Sequence, residues 1–240
     1  MNAHVALAAV PQEKQKIVAI DGPAGAGKST VAWCLASQLG FLFLDTGALY
    51  RAIAFYACEV ELAWDNAVAV SELARKIVAE DALQLVQDQD PRIKVRVFLY
   101  DREITDAIRT PLIGKGASFI SVHPHVRESL LDLQRQLGAR EPAVAEGRDI
   151  GTIVFSQAAW KFFLTAQLEV RAARRFAELT QQGIQTTFES VLQQMKDRDE
   201  KDAARACAPL CVAEDAVVID TSELTQEETL ACFIHHIQRP

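Results

Sequence analysis

Residues 21–30 read DGPAGAGKST, and Gly22 to Ser29 match G-x-x-x-x-G-K-[ST]. Each residue type in that spacing has a physical task. In Gly22, Pro23, Ala24, Gly25, Ala26 and Gly27, the glycines let the backbone bend and come close to an anion with no Cβ in the way. The loop N–H groups can then form an anion nest. A helix expected over about residues 28–38 turns its positive end toward the same point. Lys28 is suited to neutralise β and γ phosphates, Ser29 can offer its hydroxyl to Mg²⁺, and Thr30 completes the set expected to hold the cofactor. An apolar strand before the loop and the apolar stretch VAWCLASQL after it supply the strand–loop–helix context that a chance glycine turn would lack. The chemistry expected is the holding of a nucleoside triphosphate.

Where the phosphoryl group goes is a separate question. Guanine is commonly read by N-K-x-D, but the chain has asparagine only at Asn2 and Asn66, and neither precedes a lysine. A motor or transport ATPase would want a strand-end aspartate beside a water-activating residue and larger coupling surfaces, and no such set stands out. The chain instead has arginines at 51, 109, 127, 148, 171, 174, 175, 198 and 205, many at strand ends or on the segments after them. Arginine binds phosphate oxygens in pairs and keeps its charge, so this distribution points to a second anionic substrate. For the run 171–175, a solvated helix face is the alternative.

These residues must be positioned by a fold, and composition sets its class. The chain has 240 residues, 50% hydrophobic and 24% charged, with a formal net charge of −7. That is a globular composition, with enough chain for one large domain. Its acidity argues against duplex nucleic-acid binding and against docking on an anionic membrane. No apolar run reaches the ~20 residues of a membrane helix. The N-terminal AHVALAAV is short and lacks a basic flank, so residues 1–14 are read as a tail and not as a signal peptide. Five cysteines without C-x-x-C or a nearby histidine pair read as reduced, mostly buried thiols in a cytoplasmic protein. Cys207 and Cys211 would stand one helical turn apart.

Five short apolar runs look like buried parallel strands: residues 16–21, 41–45, 143–147, 161–166 and 216–221. Unalternated strands separated by helices imply a parallel sheet covered on both faces, with ligands at the carboxyl ends. These runs end in Asp21, Asp45, the segment from Glu146 through Arg148 to Asp149, and Asp220. The segment 92–100, RIKVRVFLY, alternates instead, which predicts a half-exposed antiparallel strand between turns. Residues of about 62–140 therefore read as an insert of helices and a small antiparallel sheet that holds a substrate.

Taken together, IDGPAGAGKST, LDTGALYRA, IRT at 108–110, GASFISVHPHVRE, EGRDIGT, VRAARRFAEL and KDRDEKDAARACAPL make the chain resemble the bacterial cytidylate kinases, P-loop enzymes of the nucleoside monophosphate kinase fold. The segments occur in family order and cover nearly all of residues 17–221. The resemblance implies an α/β fold with a five-stranded parallel sheet, helices on both faces, a small antiparallel insert lobe and a mobile lid. It implies one domain over 15–240, with core 15–61 and 141–240, an insert of about 62–140 and a lid of about 171–186. It also implies transfer of the γ-phosphoryl group of ATP to CMP or dCMP, with Mg²⁺ as cofactor, in a cytoplasmic monomer.

Residue roles follow from the same resemblance. Thr46 would stand near the monophosphate and Arg51 would grip it. Ser118 and Arg127 match residues that read the cytosine edge. Arg148 would bind phosphate and Asp149 the base. Arg198 and Asp202 match residues at the ribose hydroxyls, and Arg205 a further nucleotide contact, to base or phosphate. Arg171, Arg174 and Arg175 would belong to the lid, with Lys28, Arg148 and Arg175 acting on the transferring group. The family often has Asp where this chain has Glu146, a carboxylate one methylene longer.

Two other readings share the loop. Another small-molecule kinase, acting on UMP, AMP or shikimate, would keep the fold and change the acceptor. A regulatory module that switches on ATP would bind it without acceptor-dependent ADP release.

Overall fold

Ile17, Val18, Ala19 and Ile20 are consecutive and all buried. A strand buried on both faces is what a covered parallel sheet requires, and this one is its centre. The computed structural model describes residues 15–239, so the tail expected over 1–14 lies outside the described residues.

The elements in chain order are β1 (Gln15–Asp21), α1 (Lys28–Leu39), β2 (Leu42–Asp45), α2 (Thr46–Glu59), α3 (Ala67–Ala79), β3 (Leu83–Gln87), β4 (Val95–Leu99), β5 (Arg102–Glu103), a 3₁₀ turn Ala107–Arg109, α4 (Pro111–Ile120), α5 (Pro124–Arg140), β6 (Ala143–Glu146), a π-helical turn Ile150–Val154, β7 (Ala158–Thr165), α6 (Leu168–Gln181), α7 (Phe188–Ala203), β8 (Val217–Asp220) and α8 (Gln226–Ile237). The five-stranded parallel sheet has the order β2-β6-β1-β7-β8, and β3-β4-β5 form a second sheet. The described residues divide into two compact units, 42–143 and 15–41 with 144–239.

In the unit made of 15–41 and 144–239, β1 pairs with β7 in parallel, with Ile20 opposite Phe162, and β7 pairs with β8, with Leu164 opposite Ile219. Phe162 of β7 and Phe233 of α8 meet as a tilted pair with ring centroids 4.3 Å apart, packing α8 against the sheet. The capping box of α8, Thr225 with Glu228, sets where that helix starts. Helices α6 and α7 pack through Ala172, Leu179, Val191 and Met195, and Ala24 of the glycine loop rests on that cluster.

The unit 42–143 has its own core, formed by Leu49, Ile53, Val70, Ile77, Val97, Ile113 and Leu130 among others. Asp45 caps α2 by accepting from Ala48 N at 3.0 Å, and Thr110 caps α4 ahead of Pro111. The antiparallel strand expected over 92–100 is shorter, Val95–Leu99, paired with β3. Lys94 and Tyr100 have φ of 65° and 49°, which ends the strand on both sides. The Lys94 N–H turns back to Asp90 O at 2.8 Å. Within the strand the alternation holds, with Val95, Val97 and Leu99 buried.

The thiols correct one expectation. All five cysteines are free, but Cys58, Cys207 and Cys211 are exposed and Cys34 and Cys232 only partly covered. Helix α7 ends at Ala203, so Cys207 and Cys211 lie beyond it in irregular chain, with both side chains exposed.

Candidate functional site

The loop between β1 and α1 is held open by its own carbonyls. Pro23 O accepts from Lys28 Nζ at 2.7 Å, Ala24 O from Arg171 Nη1 at 3.2 Å, and Ala26 O from Thr221 Oγ1 at 3.3 Å. The N-terminus of α1 has no side-chain cap, and Gly27 precedes it at φ 90°. An uncapped helix start leaves N–H donors for an anion. Gly22 cannot be replaced without moving backbone, because a Cβ there would lie 1.9 Å from the Leu164 carbonyl oxygen of β7.

Lys28 is buried. Burial, and then the Arg148 charge, push its ammonium down to about 7. The negative charge of a triphosphate beside it would oppose both effects, so the lysine is poised to take a proton as an anion arrives. Ser29 Oγ donates to Glu146 Oε1 at 2.6 Å. A hydroxyl and a carboxylate at the foot of the loop are hard oxygen ligands of the kind Mg²⁺ accepts alongside phosphate oxygens and water. Among the described residues no cluster of three or more His, Cys, Asp or Glu could hold a metal alone.

The segment after β6 is clamped from β1. Asp21, itself buried, accepts from Ile150 N and Gly151 N, each at 2.7 Å. Burial raises its carboxyl to about 6, against the pull of those two N–H groups. Asp149 then opens the π-helical turn, its carbonyl accepting from Ile153 N at 2.9 Å and Val154 N at 3.1 Å. Such turns recur at functional sites. Sequence reasoning marked Asp21 as a strand end but assigned it no role; a charged residue directly after the apolar run Ile17–Ile20 was the available signal.

Asp202 on α7 is 0% exposed and gathers three arginines. Arg148 Nε donates to its Oδ2 at 2.9 Å, Arg205 Nη2 to its Oδ1, and Arg198 Nε stands 4.0 Å away. Burial alone would raise this carboxyl, yet Arg148, Arg205 and Arg198 hold it below the ordinary aspartate range. Arg148, Arg198, Asp202 and Arg205 are thus brought into one cluster. Of the three arginines on α6, Arg171 is buried against the loop, Arg174 holds Thr221 O at 2.6 Å, and Arg175 pairs with Glu178 at 3.0 Å.

In the unit 42–143, Thr46 begins α2 and Arg51 follows one turn later, donating to Ile108 O at 3.2 Å. A Cβ on Gly114 of α4 would lie 3.6 Å from Arg51 Nη1. Ser118 stands one turn beyond Gly114 on α4. Arg127 of α5 is buried, donates to Ser121 O at 3.3 Å, and lies 5.9 Å from the ring of Tyr50 on α2. Helices α2, α4 and α5 therefore converge on these residues. Arg109 joins them without having been assigned a role: its Nη2 is 3.8 Å from Asp45, and its buried Nε has no hydrogen-bond partner among the described residues. The sequence signal was IRT at 108–110.

Among the described residues, no helix is long and apolar enough to cross a membrane. The family model described as cytidylate kinase matches residues 18–239. A cytidylate kinase of Caldanaerobacter subterraneus subsp. tengcongensis is 43% identical over 213 residues, 89% of this chain and 90% of that protein. One of Pseudomonas paraeruginosa is 42% identical over 232 residues, 97% of each. One of Halalkalibacterium halodurans is 41% identical over 225 residues, 94% of this chain and 98% of that protein. With its phosphate loop and its buried arginine–aspartate cluster in place, the chain belongs to the cytidylate kinase family.

Proposed function

We propose that the protein transfers the γ-phosphoryl group of ATP to CMP or dCMP, giving ADP and CDP or dCDP. The observation that carries this reading is family membership along almost the whole chain, joined to a phosphate loop whose carbonyls are turned to side chains.

ATP is assigned to the loop from Gly22 to Thr30. Thr46 and Arg51 are assigned to the acceptor phosphate, together with Arg148. Ser118, Arg127 and Asp149 are assigned to the base. Cytosine presents an N4 amino donor beside N3 and O2 acceptors, so its reader must combine an acceptor with donors, as these three do. Arg198 and Asp202 are assigned to the sugar hydroxyls and Arg205 to a further nucleotide contact. Asp202 already accepts from Arg148 and Arg205, so a ribose must share it with them.

An acceptor phosphate oxygen attacks the γ-phosphorus in line. The new P–O bond forms as the bond to the β-phosphate oxygen breaks, and ADP leaves with that electron pair. The nucleophile is already anionic, so no general base is needed. Lys28 and Arg148 spread the developing charge, and Arg175 is assigned to do so from the lid, which also excludes water. Bound with ATP, Mg²⁺ would supply further charge neutralisation, held by Ser29 and, through Ser29 or water, Glu146. The protein acts in the cytoplasm as a monomer in this reading.

The test is acceptor-dependent ADP release with CMP, dCMP, UMP, AMP, GMP or shikimate in separate reactions. Release with CMP and dCMP alone is expected. Release with another acceptor instead overturns the specificity, and ATP binding with no release in any reaction overturns the kinase reading.

A further inference from the structure

Arg171 is placed where a mobile ATP ligand would not be. Its side chain is buried, and its guanidinium is committed to protein groups of one unit. Nε donates to Ala166 O at 2.8 Å. Nη1 donates to Ala24 O of the phosphate loop at 3.2 Å and lies 2.7 Å from Asp199 Oδ2 on α7. Asp199, whose side chain is 24% exposed, has its Oδ1 buried with no hydrogen-bond partner among the described residues, while its Oδ2 pairs with Arg171.

The loop also touches these helices directly. A Cβ on Gly25 would lie 3.1 Å from Arg171 Cβ and 2.8 Å from Met195 Cε. Glycine at 25 thus lets the loop settle onto α6 and α7, and the guanidinium pins the neighbouring carbonyl. Turning a carbonyl outward turns the adjoining peptide N–H the other way, since the peptide is planar. Arg171 therefore bears on the orientation of the peptide between Ala24 and Gly25, which is part of the anion nest. Helix α7 carries Arg198 and Asp202 one position before and three after Asp199, so the same pair ties the loop to the helix of the arginine–aspartate cluster.

We propose that the Arg171–Asp199 ion pair is a positioning device for the phosphate loop, acting through the Ala24 carbonyl, and that Arg171 is not itself a ligand of ATP. This rests on the reading of the loop as an ATP site. Only arginine has the planar fork that meets Ala166 O, Ala24 O and Asp199 at once; lysine offers one ammonium in its place.

The experiment measures the dissociation constant of Mg·ATP by calorimetry, with kcat and both KM values, for the full chain and for Arg171→Lys, Asp199→Asn and the double variant. Asp199→Asn is isosteric and carries the comparison if Arg171→Lys folds poorly, which thermal unfolding monitors. Each single variant is expected to bind Mg·ATP about tenfold more weakly, the loss of one charge-assisted contact. The double variant should be no worse than the weaker single, because the residues act as one unit. KM for ATP should rise with kcat falling less, and KM for CMP should move less than twofold. An Asp199→Asn variant that binds ATP as tightly as the parent, or more tightly, overturns the proposal, because a freed Arg171 would then be a direct ligand. Additive losses in the double variant overturn it too. A parent protein that binds ATP but does not phosphorylate CMP would sink the functional reading alone, since the affinity comparison stands on binding.

Discussion

The Ser29 hydroxyl donates to the Glu146 carboxylate at 2.6 Å across 117 positions of sequence. A short bond from the helix after the phosphate loop to the end of β6 fixes the hydroxyl rotor. It also holds a carboxylate beside that hydroxyl, the pair that the proposed function assigns to Mg²⁺.

That relationship predicts a metal phenotype. Glu146→Gln keeps the length and removes the charge, so it should raise the Mg²⁺ concentration for half-maximal rate by about tenfold or more. Glu146→Asp keeps the charge and shortens the reach by one methylene, so it should raise that concentration less than Glu146→Gln does. Chelation of Mg²⁺ should abolish turnover in every variant. Initial rates across a Mg²⁺ titration check this, and unchanged titration curves would remove Glu146 from the metal assignment.

Lys28 makes a prediction about pH. Its folded value of about 7 lies below the ordinary 10.5. Between those values the unfolded chain binds more protons than the folded one, so this group makes the nucleotide-free protein more stable as pH rises through that window. Below pH 7 the folded protein carries the full cost of a buried charge. Lys28→Met should therefore raise the thermal midpoint at pH 6.5 while lowering turnover by about 10²-fold or more. ATP binding at pH 8 should take up close to one proton, read from calorimetry in buffers of different ionisation enthalpy. Proton release would contradict the placement.

The Asp202 cluster sets stability in acid. Its folded pKa is depressed, so its contribution is present above the ordinary aspartate range and is lost as pH falls through the lower folded value. Arg148→Ala should lose most turnover and cost about 3 kcal/mol, because it removes one partner of a fully buried carboxylate. Denaturant unfolding at pH 7 and at pH 3 separates the two effects; the difference between variant and parent should shrink at pH 3.

The loop glycines should not be equivalent. Gly22→Ala forces a Cβ against the Leu164 carbonyl oxygen, at 1.9 Å, and should prevent stable folding. Gly27→Ala meets nothing within 4 Å and suffers only from φ 90°, about 1–2 kcal/mol. Expression yield and thermal midpoints of the two variants check the ranking, and equal losses would contradict it.

How much was legible before the fold follows from how local each constraint is. The strand at 16–21, the loop and the first helix were readable because neighbours in sequence dictate them: an apolar run, glycines, then helix formers. Residues 92–100 read three positions too long at the start and one at the end because alternation persists into Ile93, while Lys94 at φ 65° and Tyr100 at φ 49° break the strand. Alternation reports side-chain faces and carries no record of backbone turns. The cysteines misled for a related reason. Thiols are buried in most proteins, but that preference has no force on Cys207 and Cys211, which follow the end of α7.

The sequence by itself determined the phosphate loop, the α/β class and the family, because each is written in short segments whose spacing is a chemical requirement. Only the tertiary structure decided what holds those segments. Asp21 clamps Ile150 and Gly151 from 129 and 130 positions away, and Arg171 reaches Ala24 from 147. No local pattern encodes such pairings, because they exist only once packing has brought β1, the segment after β6 and helix α6 together. The long-range contacts that tune Lys28 and Asp202 arise from burial in the same way, and burial is a property of the folded chain.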